Sequence, residues 1–132
     1  MRLTLGIGCL ATLMFLGCTS GTTEKRYEVT GMVTLDDKPL EEGTISYATQ
    51  DGGVPGNTTI TNGSYKLDTR PGLNKVSINA YKIDPKIKPS NDPVKPVDNR
   101  VNMIPKRYNS ATELSADVGT EMKFDFKLSS KK

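Results

Sequence analysis

Few residues in this chain are equipped for chemistry, and they are unevenly placed. Cys18 follows Gly17 at the end of an uncharged apolar run, and the other cysteine, Cys9, lies inside that run. Two acidic pairs, Asp36-Asp37 and Glu41-Glu42, flank one predicted turn. Their oxygens could ligate calcium, but the spacing is not that of an EF-hand loop, and solvated charges at a turn are the simpler reading. Five tyrosines (Tyr27, Tyr47, Tyr65, Tyr81 and Tyr108) could stack on a ligand. Tyr47 and Tyr65 fall in phase with core positions, whereas Tyr81 falls on the face opposite Val76, Ile78 and Ala80 and is expected to be exposed. From Lys82 to Arg107 the basic residues Lys82, Lys86, Lys88, Lys95, Arg100, Lys106 and Arg107 meet only Asp84, Asp92 and Asp98, a balance of +4.

What is missing narrows the chemistry further. The 132 residues hold no histidine and no tryptophan. Histidine is the commonest general base and metal ligand, so no Ser-His-Asp triad can be assembled. With both cysteines in the N-terminal run, the rest of the chain has no thiolate nucleophile and no disulfide. A zinc site built from His and Cys is likewise impossible. No catalytic residue, no metal and no cofactor is therefore expected, and the fold must be held by packing.

The N-terminal run sets the compartment. Arg2 precedes Leu3 to Leu16, which carry no charge. A membrane-spanning helix needs about 20 apolar residues, so this run is too short to be one. It has the size and polarity of a secretory signal. Phe15-Leu16-Gly17-Cys18 resembles a bacterial lipobox. That resemblance implies cleavage before Cys18 and acylation by chains such as palmitate, which makes the new N-terminus a lipid anchor. Residues 1–17 are then a signal peptide, and residues 18–26 are the lipidated cysteine and a polar tether. Eight tether residues reach at most roughly 25–30 Å. Thr19 is not the inner-membrane-retaining Asp, which favours the outer membrane, with the domain on its periplasmic or extracellular side. Nucleic acid is not an expected partner there.

Beyond the tether the apolar period becomes two. Tyr27, Val29, Gly31, Val33 and Leu35 alternate with polar neighbours, as in a half-buried strand. Asp36 to Pro39 turns the chain, and Gly43 to Thr49 returns with Ile45 and Tyr47 inward. Thr58 to Thr61 favours a strand through β-branching, and Asn62-Gly63 is a tight-turn signal before Ser64 to Asp68. Val76, Ile78 and Ala80 mark another strand after Pro71-Gly72. Residues 84–105 then hold five of the eight prolines, which predicts an irregular extended surface loop. Strand signals resume at Leu114 to Val118 and at Met122, Phe124, Phe126 and Leu128, all four expected to face inward. The tail, residues 129–132, is expected to fray. The reading is one all-β domain over residues 27–128, an antiparallel β-sandwich of about seven short strands with no amphipathic helix.

Several turns also match a known family. The stretch from Val29 through Gly31, Val33 and Asp36-Asp37-Lys38-Pro39-Leu40 resembles the opening of carboxypeptidase regulatory-like, or transthyretin-like, domains. Asn62-Gly63-Ser64-Tyr65-Lys66-Leu67 is similar to their D-G-x-Y-x-L hairpin, and Arg70-Pro71-Gly72 before Lys75-Val76-Ser77-Ile78 to their P-G-x-Y-x-V strand entry. Ile104 to Asn109 and Phe124-Asp125-Phe126 resemble small bacterial lipoproteins carrying this domain. Asp37 stands where the family often has Gly, and Asn74 replaces a usual Tyr. The resemblance implies a seven-stranded prealbumin-like, or Ig-like, sandwich acting as an accessory or binding module. The enzymes on related scaffolds use histidines that this chain lacks.

These observations together lead to a non-catalytic, membrane-anchored envelope lipoprotein acting as a binding or structural module. Its expected partners are a membrane, through the anchor, and an anionic envelope polymer or protein, through the basic loop. A small-ligand carrier or accessory subunit of an envelope enzyme is the alternative. An enzyme relying on carboxylates alone is a third reading.

Overall fold

Alternating burial along each long strand builds the fold. The computed structural model describes residues 24–131. The expected signal peptide, Cys18 and the first residues of the tether lie outside the described residues, as does Lys132. Strand β1 (Tyr27–Leu35) buries Val29, Gly31 and Val33 and exposes Glu28, Thr30 and Met32. The short β2 (Lys38–Pro39) folds back on it through Asp36 and Asp37, whose φ angles are 50° and 65°. Such a turn needs positive φ at both central positions, and Asp is among the few residues that tolerate it, so the turn forms without glycine. β3 (Glu42–Thr49), β4 (Gly56–Thr61), β5 (Ser64–Thr69) and β6 (Gly72–Asn79) follow at the expected places. β7 (Tyr81–Ile83), β8 (Arg100–Asn102), a 3-10 turn (Lys106–Tyr108), β9 (Ser115–Val118) and β10 (Phe126–Leu128) complete the described chain.

Eight strands form one sheet in the order β10-β1-β5-β4-β3-β6-β9, with β2 beside β1. The sheet is antiparallel apart from the parallel β1–β10 pair, and it curls into a half-barrel. β4 and β5 share one ladder pair, Thr61↔Ser64, at the Asn62-Gly63 turn, and stay close as far as Gly56 beside Asp68. Side chains in the concave interior must hold the two halves together. Ile45, Tyr47, Ile60, Val76 and Ile78 from one half meet Val29, Val33, Tyr65, Leu67 and Leu128 from the other.

The centre of that interior is a polar chain inside an apolar one. The hydroxyls of Tyr47 and Tyr65 lie 2.8 Å apart, and Tyr65 donates to the Phe124 carbonyl at 2.7 Å. Tyr65 has one proton and the carbonyl has none, so Tyr47 must be the donor to Tyr65. The Phe124 carbonyl lies directly over Gly31, where a Cβ would sit 1.8 Å from that oxygen and 2.8 Å from the Tyr65 hydroxyl. Only glycine fits. This also corrects the expected last strand. The register Thr30↔Lys123 and Val33↔Phe126 is continuous, but the rung between them is replaced. Tyr65 takes the Phe124 carbonyl, and Asp125 Oδ1 accepts the Met32 N–H at 2.8 Å. Regular pairing is therefore confined to Phe126–Leu128. Phe126 and Leu128 are buried, while Met122 and Phe124 are half-buried against the core.

Two further features are held by hydrogen bonds. Asn74 is fully buried, and it braces the Arg70-Pro71-Gly72 turn by donating to Arg70 O at 3.1 Å and Gly72 O at 2.8 Å. Over Ser129–Lys131 the C-terminal tail is hydrogen-bonded to the body of the domain. Arg107 donates to the carbonyls of Ser129 and Lys131 at 2.6 and 2.5 Å, and Ser130 donates twice to the Asp36 carboxylate, at 2.9 and 2.6 Å.

The tyrosine chain makes two predictions. Tyr65→Phe leaves the Phe124 carbonyl and the Tyr47 hydroxyl without their partner, and should cost about 1–3 kcal/mol in urea unfolding. Gly31→Ala should cost more, because backbone must move, and an unchanged unfolding midpoint would contradict this placement. The second prediction is alkaline. Burial pushes the Tyr47 phenol up from 10.0 to about 12, and pushes Tyr65 up as well. A folded-state pKa above the unfolded one contributes stability that is complete below pH 10 and is lost as pH rises through about 12. Followed by ultraviolet absorbance and circular dichroism, Tyr47 and Tyr65 should ionise only as the sheet unfolds. Ionisation of all five tyrosines with the fold intact would refute it.

Candidate functional site

The basic segment is paired at its base and irregular beyond it. The chain leaves the sheet at Ala80, and β7 pairs with β8 through Tyr81↔Asn102, Lys82↔Val101 and Ile83↔Arg100. The pairing extends through Asp84 N–H to Asn99 O at 2.8 Å, and through reciprocal Ser90 and Val97 bonds at 3.1 and 3.0 Å. The irregular loop expected over residues 84–105 is pinned at its base by β7 and β8 and crossed by one isolated bridge, Ser90↔Val97, with turns and bends between; the segment as a whole is here called the ribbon. Pro85, Pro89, Pro93 and Pro96 all fall between the paired positions, where no N–H is required. The three aspartates shape its bends. Asp84 accepts from Lys86 N–H at 2.9 Å, Asp92 from Val94 N–H at 2.7 Å, and Asp98 from Arg100 N–H at 2.8 Å. The repeated Asp two residues before its donor was the signal for these turns, since such side chains hydrogen-bond backbone locally.

The seven basic residues do not share one role. Lys82, Lys86, Lys88 and Lys95 are exposed along the ribbon, and Lys106 is exposed on the 3-10 turn. Among the described residues none of these five lysines forms an ion pair. Arg100 pairs with Asp98 at 2.8 Å, and this contact holds the Asp98 carboxyl below its ordinary range. Arg107 is not a ribbon residue. It is half-buried, lies 4.7 Å over the Tyr108 ring and clamps the tail. The ribbon also carries apolar side chains that charge counting missed. Tyr81 is 60 % exposed, Ile83 68 % and Val94 81 %.

Topology fixes where the ribbon stands. β1 begins at Tyr27, opposite Thr69, and ends at Leu35 beside β2. Strands β5, β4, β3 and β6 alternate in direction, so β6 ends at the same edge of the sheet as β1. Ala80 there packs near Gly43, and its carbonyl accepts from Met103 N–H at 2.7 Å. The ribbon thus leaves one end of the sheet, and the N-terminal segment joins at the other. At about 3.3 Å per residue, the nine residues of β1 separate the two ends by roughly 30 Å.

The acidic pairs fill structural or solvent positions. Asp36 sits in the β1–β2 turn, and the Ser130 hydroxyl and N–H hold its carboxyl below the usual range. Asp37, Glu41 and Glu42 are exposed. Among the described residues no three His, Cys, Asp or Glu side chains are grouped to hold a metal ion. Arg70 gathers Asp51 at 3.0 Å and Glu24 at 2.8 Å at the end of the sheet where the chain enters. No family model, no curated protein and no solved structure matches the chain.

Proposed function

We propose that this chain is a non-catalytic, membrane-tethered envelope module that binds an anionic partner through its ribbon. In this reading residues 1–17 are a signal peptide, Cys18 carries the lipid and residues 19–26 are the tether. The curled sheet is a variant of the prealbumin-like sandwich of carboxypeptidase regulatory-like domains. The observation that carries the reading is the separation of ends. Chain entry at Tyr27 and the point where the lysine-bearing ribbon leaves the sheet, at Tyr81, lie at opposite ends of β1. A tether at one end turns the other end away from its membrane. The partner is then an envelope polymer or protein beyond the membrane, rather than the headgroups of the anchoring leaflet. Ribbon pairing and proline both restrict the segment before binding, which lowers the ordering cost. A small-ligand carrier fits less well, because ligand sites of that kind enclose most of their ligand and the concavities here are open grooves.

Two measurements test this. Cys18→Ala should abolish incorporation of a fatty-acid analogue in the producing cell, and equal labelling of both proteins would remove the anchor. For the ribbon, a soluble form lacking residues 1–18 retains every residue of the described fold. It should sediment with isolated envelope at low salt and be released at high salt, since exposed charges are screened within about 8–10 Å at physiological ionic strength. Reversing Lys86, Lys88 and Lys95 to Glu should abolish sedimentation while changing stability by no more than about 0.5 kcal/mol. Equal sedimentation of both forms at every salt concentration would refute the ribbon's role.

A further inference from the structure

The two outer faces of the curled sheet differ in chemistry. On the β1–β5 half, outward positions carry Glu28, Lys66 and Asp68, with Lys66 and Glu28 paired at 2.8 Å. On the β4–β3–β6 half, the register aligns Thr59–Thr44–Asn79 in one row and Asn57–Ser46–Ser77 in the next. All six are short, uncharged hydroxyl or amide side chains, and charge returns only in the flanking rows, with Glu42 beside Thr61 at one end and Lys75 beside Ala48 at the other. Tyr81 stands at the edge of this face, where the ribbon begins. It is a shared wall of two open grooves of about 310 and 440 Å³, and Asn79 lines both.

We infer that this neutral face, with Tyr81 as its platform, binds a neutral glycan chain. The inference deepens the binding role proposed above and rests on it for the compartment in which the glycan is met. A sugar ring offers an apolar C–H face and a rim of hydroxyls. An exposed tyrosine ring fits the first, and its polar tip stays in water. Amides and hydroxyls, which both donate and accept, fit the second. Asn79 is held ready for this. Its Oδ1 accepts from Asn102 Nδ2 at 2.8 Å, and Asn102 is itself fixed by the N–H groups of Ala80 at 3.2 Å and Ile104 at 3.0 Å. The Asn79 oxygen is thereby engaged, and its amide N–H groups remain as donors in a residue that lines both grooves. Of the two charged residues that border one groove, Arg100 is already paired with Asp98 and Glu42 repels anions, so the groove favours an uncharged ligand over an anion. Support of a contacting side chain by a fixed neighbour is what distinguishes a prepared site from a polar surface.

Isothermal calorimetry on the full mature protein in detergent tests the inference, with N-acetylglucosamine tetramer and maltotetraose as separate probes. At least one probe should give saturable heat. Tyr81→Ala should weaken that binding about tenfold or more, equivalent to about 1.4 kcal/mol. Thr44→Lys, which leaves the ring in place but charges the row, should also weaken it. Lys66→Ala on the opposite face should leave it unchanged. Circular dichroism checks that each variant is folded. No saturable heat with either probe, or equal affinity of wild type and Tyr81→Ala, would overturn the inference. Envelope sedimentation is a separate readout. Its loss with glycan binding intact removes the ribbon's role alone, and the reverse removes the neutral face alone.

Discussion

The Phe124 carbonyl lying over Gly31 is the constraint on which the rest of this fold depends. A curled sheet whose two halves share one regular β4–β5 ladder pair has few backbone hydrogen bonds between them. The Tyr47–Tyr65–Phe124 chain supplies that connection. Tyr47 comes from β3, Tyr65 from β5, and Phe124 from the segment leading into β10, so one chain of hydrogen bonds ties three parts of the sheet. It lies in apolar surroundings, where a paired polar group is tolerated and an unpaired one is costly. The arrangement explains several sequence features together: the glycine in a strand otherwise rich in valine, the tyrosines at core phase, and the broken regularity before Phe126.

Much of the fold was legible because alternation is a local signal. β1, β3, β5 and β6 were readable from period-two burial, and the Asn62-Gly63 turn from its dipeptide. The parallel β1–β10 pairing was not, since it joins residues such as Val33 and Phe126 across most of the chain. The ribbon was also hidden. Its strands are three residues each, too short to establish a period, and the prolines between its rungs read as breakers. For the candidate site, sequence placed the lysines correctly on the surface. It could not separate them from Arg107, whose guanidinium is committed to the tail carbonyls. Nor could it reveal the neutral face, because the rows Thr59–Thr44–Asn79 and Asn57–Ser46–Ser77 exist only once the register is known.

Function, in the proposed reading, follows from two asymmetries. One is end to end: the chain enters where Arg70 gathers Asp51 and Glu24, and the ribbon leaves from the far end. The other is face to face: a Lys66–Glu28 ion pair sits in the middle of one outer face, and two uncharged rows sit in the middle of the other. Exposed ion pairs contribute little to stability, so neither asymmetry is demanded by folding. A module that presents its far end and one neutral face to an extended polymer would use both. Lysines would give salt-dependent attraction, and Tyr81 with Asn79 would give shape-dependent contact.

Hydroxyl-radical footprinting of the protein on isolated envelope material tests that account most directly, because exposed apolar side chains serve as reporters at every part of the surface. Tyr81, Ile83 and Val94 mark the ribbon and the edge of the neutral face, while Met32 and Val54 mark surfaces away from them. The account predicts that oxidation of Tyr81, Ile83 and Val94 falls when the envelope is present and that oxidation of Met32 and Val54 does not. Protection centred on Met32 or Val54, with the ribbon oxidised as in the free protein, would contradict it.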